Sequence, residues 1–278
     1  MTDSLGPILG AHLYGEIESR LLELLRSLTP EEWERETIVP GWRVREIAAH
    51  LLDTQLRKLS LARDGYVHEP PSIASPADLV AFIDRTNREG VALYRRLSSA
   101  VLISLMEVAS READQYHRAL DPFARAIFGV SWAGEFESLN WFDTARELTE
   151  RWHHQQQIRL AVNRPGIMTR ELYFPVLDAF MRALPFHYRA VERPAGAMAQ
   201  FDVAGDCGGS WFLLREPDRW RLVAAPAGER ISRTVLPQEI AWRIFTKGID
   251  RQAAALQVEC DGDREAGLHI LGMLAIVG

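Results

Sequence analysis

Glu150 and His154 stand four residues apart in a segment of strongly helical pattern. Their side chains therefore share one helix face, with Cβ atoms about 5–6 Å apart. A carboxylate and an imidazole at that reach suit two ligands of one cation, offered from a helix into a bundle core. Spacing alone leaves them readable also as a surface Glu/His pair. His153 is the adjacent competitor, but it projects about 100° round the helix and cannot readily replace His154. A third ligand would have to come from another helix. His50 is the candidate: it lies mid-helix beside the apolar positions Ile47 and Leu51, where its ring would point along the seam between helices. The chain has eight histidines, and any one of them alone is more often a hydrogen-bonded or partly exposed residue than a ligand.

The elements that must position these groups can be read from periodicity. Apolar residues at Leu13, Ile17, Leu21, Leu25 and Leu28 form a stripe of helical period. Thr29, Pro30 and Glu32 carry the signature of a capping box with proline in the first turn. Val39 to Trp42 reads as a turn. A second long helix, with Val44, Ile47, Ala48, Leu51, Leu52, Leu56 and Leu59 apolar, stops near Gly65. Val67 to Ala74 is a proline-rich loop. Ser75-Pro76 opens a third helix to about Leu97, and another covers Val101 to Ala119. Asp121 to Glu137 reads as irregular. Trp141 to Val162 is a strong helix, and Arg170 to about Leu184 is a further one that Pro185 ends. After about Pro194 the period changes to that of strands: Gln200–Val203, Trp211–Leu214, Trp220–Val223, Ile231–Leu236 and Leu256–Glu259. Helices over Pro237 to Phe245 and Arg264 to Leu274 complete the chain. The expected fold class is α+β: a helix bundle over residues 1–193, then a small α+β domain over 194–278.

Composition sets the outer bounds. At 278 residues, 47% apolar and 25% charged, the chain is long enough for about two globular domains. A net charge of −6 offers no footprint for nucleic acid, which asks for a basic face. No run reaches the roughly 18–20 apolar residues of a membrane span, and the first twenty residues lack a basic leader, so a cytoplasmic location is expected. Cys207 and Cys260 do not make a disulfide framework, and no histidine sits near either in sequence to make it a nucleophile.

The segment from Pro40 to Leu51, with Trp42, Val44 and the pair His50-Leu51, resembles the signature of the DinB-like superfamily. It is closest to the N-terminal domain of mycothiol-dependent maleylpyruvate isomerases. Glu150 and His154 match that family's second metal motif, and Val130 to Gly134 is similar to its connecting segment. Gly209 to Leu214 and Val258 to Asp263 follow in the order of its C-terminal domain, which is sterol-carrier-like in outline. The resemblance thus extends over nearly the whole chain. It implies a DinB-like four-helix bundle with His50, Glu150 and His154 as metal ligands. One departure stands out: Gln157 occupies a place where many relatives carry aspartate, which bears on the surroundings of the metal.

Two histidines and one glutamate make an open, catalytic type of site. Zn²⁺ suits them first, and Ni²⁺, Fe²⁺ or Mn²⁺ suit the same donors. With no protein nucleophile beside the motifs, a low-molecular-weight thiol cosubstrate would supply one, since a cation favours thiolate. The resemblance then implies an isomerase or S-transferase acting on a small electrophile, in a monomer or homodimer. Arg146, four residues before Glu150, is the candidate for receiving a substrate anion; a solvated arginine or a salt bridge to Glu150 is the plainer reading. Arg57 is a weaker candidate, and nothing selects among Arg215, Arg221, Arg230 and Arg243. The tryptophans at 33, 42, 132, 141 and 152 read as core. A metal-dependent hydrolase and a non-catalytic small-molecule or lipid-binding protein are the competing classes; a thiol requirement separates them from the first.

Overall fold

The computed structural model describes residues 5–68 and 71–276. Part of the loop expected over Val67 to Ala74 therefore lies outside the described residues. The helical part comprises α1 (Tyr14–Ser27), α2 (Pro30–Trp33), α3 (Val44–Lys58), α4 (Pro76–Tyr94), α5 (Ser99–Ala119), α6 (Asn140–Val162), α7 (Arg170–Met181) and α8 (Leu184–His187). Local chemistry starts and stops them. Thr29 caps α2 in a full capping box with Glu32, and Ser75, Ser98 and Thr169 cap α4, α5 and α7 through their side-chain oxygens. Asn163 ends α6 in the left-handed conformation at φ 56°, which asparagine tolerates better than most residues.

Helices α1, α3, α5 and α6 form a four-helix arrangement in which α1 and α3 each pack on both α5 and α6, and α4 lies along α3. Its apolar centre joins Leu21, Leu25, Ile47, Leu51, Met106 and Ile158. Helix α4 comes close enough to α3 that a Cβ on Gly90 would stand 2.1 Å from the Asp53 carboxyl carbon, so a larger residue would have to push aside a carboxylate that Arg57 holds.

The rest of the chain is a five-stranded sheet of order β3-β2-β1-β4-β5. Its strands are β1 (Ala197–Ala204), β2 (Gly209–Arg215), β3 (Trp220–Val223), β4 (Glu229–Pro237) and β5 (Glu259–Gly262), with α9 (Gln238–Phe245), α10 (Arg251–Ala255) and α11 (Arg264–Leu268). All neighbours are antiparallel except the central pair β1 and β4. A second apolar core runs from α6 and α7 into this part. The Trp152 ring stacks on Tyr173 at 4.2 Å and meets Trp242 of α9 at 6.0 Å, while Phe180 meets Phe245. Among the described residues no helix is long and apolar enough to cross a membrane.

Expected boundaries move in three places, one of them the last helix, which ends at Leu268 and passes into a 3-10 turn over His269–Gly272 instead of reaching Leu274. The strand expected over Leu256–Glu259 lies instead at Glu259–Gly262, paired with β4. Asp250 accepts from the backbone N–H groups of Gln252 and Ala253 and starts a helical turn, which leaves Leu256 at its end and 89% exposed. The helix from Arg170 breaks at Met181, and Pro185 sits in the first turn of α8 rather than ending α7. Proline suits that turn because a first-turn N–H has no helical acceptor.

Candidate metal centre

Helix α6 is the central helix: 17 of its 23 residues are buried, many of them polar. Positions 143, 146, 147, 150, 154 and 157 recur every three or four residues and so share one face. That face meets α3, whose sequence runs the other way, so that His50 lies by His154 and Lys58 by Asp143. Trp152 points to the opposite side, into the core beneath the sheet.

One donor atom each from His50, Glu150 and His154 lies within 4.8 Å of the others. The two imidazoles meet edge to face, with centroids 4.7 Å apart. His154 Nε2 is 3.5 Å from Glu150 Oε2. Both histidines are buried and Glu150 is partly so, which removes this pair from the solvent face. The half-buried Trp42 indole covers them, its ring 5.0 Å from His50 and 6.4 Å from His154.

The protonation states suit a cation. Burial, with the neighbouring His154, holds the His50 imidazole well below its usual range, so it is neutral. Burial works to raise the Glu150 carboxyl, but the histidines around it, His154 foremost, prevail and keep it ionised. Two imidazoles and one carboxylate are the donor set of an open divalent site. His50 Nδ1 is buried and makes no hydrogen bond. An unpaired polar atom in such a place costs about 1–3 kcal/mol, a cost that a ligand to the imidazole would offset. The residues present fit a bound divalent ion.

His153 is placed differently. Its Nδ1 donates to the Thr149 carbonyl at 2.7 Å, its pKa is lowered to about 3 by burial and by His154, and it lies outside the three-residue group. Arg146 does lie on the α6 face that carries Glu150. Its guanidinium pairs with Asp143 at 2.7 Å and Glu147 at 2.6 Å, rather than with Glu150. Both carboxylates also meet Lys58, at 2.5 Å and 3.4 Å. Arg57 is held by Asp53 and Asn87. In the sheet part Arg215 pairs with Glu192, Arg221 with Glu216, and Arg243 with the Gly248 carbonyl.

Two features escape a reading of the sequence, whereas Gln157, singled out there, proves to touch a candidate ligand. Trp42, read as core, covers the two histidines. Lys58, Asp143 and Glu147 build an ion cluster beside the site, and only the repeat of 143, 147, 150 and 154 along α6 hints at it. Gln157 accepts a hydrogen bond from His154 Nδ1 at 2.8 Å. Of the cysteines, Cys207 is buried with its thiol against the Met168 carbonyl, and neither it nor Cys260 joins the donor group.

The chain matches the sequence profile described as mycothiol maleylpyruvate isomerase N-terminal domain over residues 14–159, a span that contains His50, Glu150 and His154. A search of curated protein sequences finds no match. Among solved structures, one similar to the chain is a mutant of the mycothiol-dependent maleylpyruvate isomerase, at 15% identity and a TM-score of 0.48. Another is that isomerase without the mutation, at 14% identity and a TM-score of 0.46. Each alignment covers 85% of this chain and 86% of the other.

Proposed function

Because the chain belongs to the family of the mycothiol maleylpyruvate isomerase N-terminal domain, we propose that it is a thiol-dependent isomerase or S-transferase for a small electrophile, with one divalent ion held by His50, Glu150 and His154. The observation that carries this reading is the convergence of three donors, from two helices, within 4.8 Å. Zn²⁺ is the ion we assign. Bound there, it would lower the pKa of a small thiol so that thiolate is present at neutral pH.

The chain's own residues do the rest. His50 and His154 present ring nitrogens, and Glu150 contributes the negative charge. Trp42 shields one side of the donor group from water. We assign Arg146 to the substrate's anionic group: it stands one turn before Glu150, and Asp143 and Glu147 hold its guanidinium in place. The thiolate adds to an activated double bond, the resulting single bond rotates, and expulsion of the same thiolate restores the double bond in the other geometry. Nothing is oxidised or reduced. An S-transferase stops after the addition, once the carbanion formed takes up a proton from solvent. The thiol, and not Cys207 or Cys260, is the nucleophile. The same reading divides the chain into a metal-binding bundle over residues 1–193 and a small α+β domain over 194–278, and sets it in the cytoplasm, where thiols are kept reduced.

The test is turnover of a maleylpyruvate-like electrophile by metal-loaded protein, with and without a small thiol. Activity should appear only with thiol and should persist in Cys207→Ser and Cys260→Ser. Full turnover in thiol-free buffer by the doubly substituted protein would overturn the proposal in favour of a hydrolase.

A further inference from the structure

We propose that Gln157 is the positioning residue that fixes His154 for metal binding, and that its uncharged amide sets how tightly the site holds the ion; this rests on the metal reading above. Gln157 follows His154 by one helical turn and is buried. Its Oε1 lies 2.8 Å from His154 Nδ1. An amide oxygen only accepts, so the ring carries a proton on Nδ1, and in its neutral form the lone pair is on Nε2. Nε2 is the nitrogen that faces Glu150.

A neutral imidazole in water prefers the opposite tautomer, with the proton on Nε2, where it would obstruct an ion. Gln157 reverses that preference before any ion arrives. Because Gln157 is buried, water does not readily take over its role if it is removed. The amide also limits the effect. A carboxylate in this place would polarise the ring more strongly and add a second negative charge near the ion. With glutamine there, Glu150 is the only anion among the three donors and the acceptor behind His154. The chain thus keeps the orientation that an outer-shell acceptor provides while giving up its charge.

The experiment measures Zn²⁺ dissociation constants by competition with a chromophoric chelator. It compares the full-length wild type with Gln157→Leu and Gln157→Glu, and reads the His154 tautomer in each metal-free protein from imidazole ¹⁵N shifts. Gln157→Leu should bind Zn²⁺ about 10–100-fold more weakly, and its His154 should move toward the Nε2–H form. Gln157→Glu should keep the Nδ1–H form and bind Zn²⁺ more tightly than wild type. A purely structural role for Gln157 would move neither the tautomer nor the glutamate variant's affinity in these directions. Zn²⁺ affinities within twofold across the three proteins would overturn the inference while leaving the metal site standing. Should Gln157→Leu not fold, an unchanged affinity in Gln157→Glu alone overturns it. A wild type that holds the Nδ1–H tautomer yet takes up no Zn²⁺ removes the metal reading itself, and the role of Gln157 with it.

Discussion

Glu150 and Arg151 are neighbours on α6, yet they enter two buried polar clusters of different kinds. Arg151 joins one in which the charges are paired off. Its Nη2 donates to Glu18 Oε2 at 2.9 Å and its Nη1 to the Leu51 carbonyl at 2.6 Å, while its Nε donates to the other Glu18 oxygen. Ser110 and Gln55 also donate to Glu18, and Gln55 reaches Tyr14 as well. The cation and its carboxylate satisfy each other inside the bundle. Glu150 joins a cluster that does not close. Its contact with His154 is 3.5 Å, at the outer limit of a hydrogen bond, and His50 Nδ1 is left without a partner. A closed ion pair ties helices together. An incomplete set of donors on the same rigid helices leaves room for a ligand.

The contrast can be broken most forcefully at the paired cluster. Glu18→Leu strands the Arg151 charge and should cost about 3–5 kcal/mol in urea denaturation. Replacing both, as Glu18→Leu with Arg151→Met, should recover most of that loss, because no unpaired charge remains buried. A single-variant cost under 1 kcal/mol would mean that the pair does not hold the bundle.

At the open cluster the loss should fall on metal and not on the fold. His50→Ala and His154→Ala should each weaken Zn²⁺ binding about a thousandfold, equivalent to about 4 kcal/mol, and lose the ion on dialysis. Equal metal content in both variants and wild type, by elemental analysis, would remove the assignment.

A third effect sharpens the comparison through pH. His117 is buried against Tyr14 and Thr144, and burial lowers its pKa from 6.5 to about 4. Between those values the unfolded chain binds a proton that the folded chain refuses, so stability rises with pH there. The contribution is complete above about 6.5 and is lost as pH falls to about 4; it amounts to at most about 3 kcal/mol. His117→Gln should flatten the stability curve of the metal-free protein across that window, and an unaltered slope would exclude His117 as its source. The smallest effect is expected at His153. Its Nδ1 is committed to Thr149, so His153→Gln should leave Zn²⁺ affinity within about twofold, and a large loss would bring His153 into the donor set.

Much of this arrangement is legible in the residues themselves. The capping box at Thr29, the stripe on α1 and the strand-like runs after Pro194 are local patterns, and local backbone energetics suffices to realise them. The displaced strand at Leu256 is an instance of local chemistry overlooked: Asp250 capping a short helix outweighed an apolar run. Pro185 is another, since proline suits the first turn of a helix as well as the stretch after one. Arg146 is a case of a different sort. Its place on the face of Glu150 follows from the helix repeat, but its pairing with Asp143 and Glu147, with Lys58 completing the cluster, depends on how α3 lies against α6.

The same division runs through the metal centre. By itself the sequence determined that Glu150, His154 and Gln157 share a face, because 3.6 residues per turn allow nothing else within one helix. It also determined that His50 lies beside an apolar stripe. Only the tertiary structure decided that the His50 ring comes within 4.7 Å of His154, that Trp42 covers both, and that Arg151 is closed off while Glu150 is not. Those outcomes turn on the crossing of α3 and α6 and on which groups packing strips of water, and no spacing within one segment encodes either.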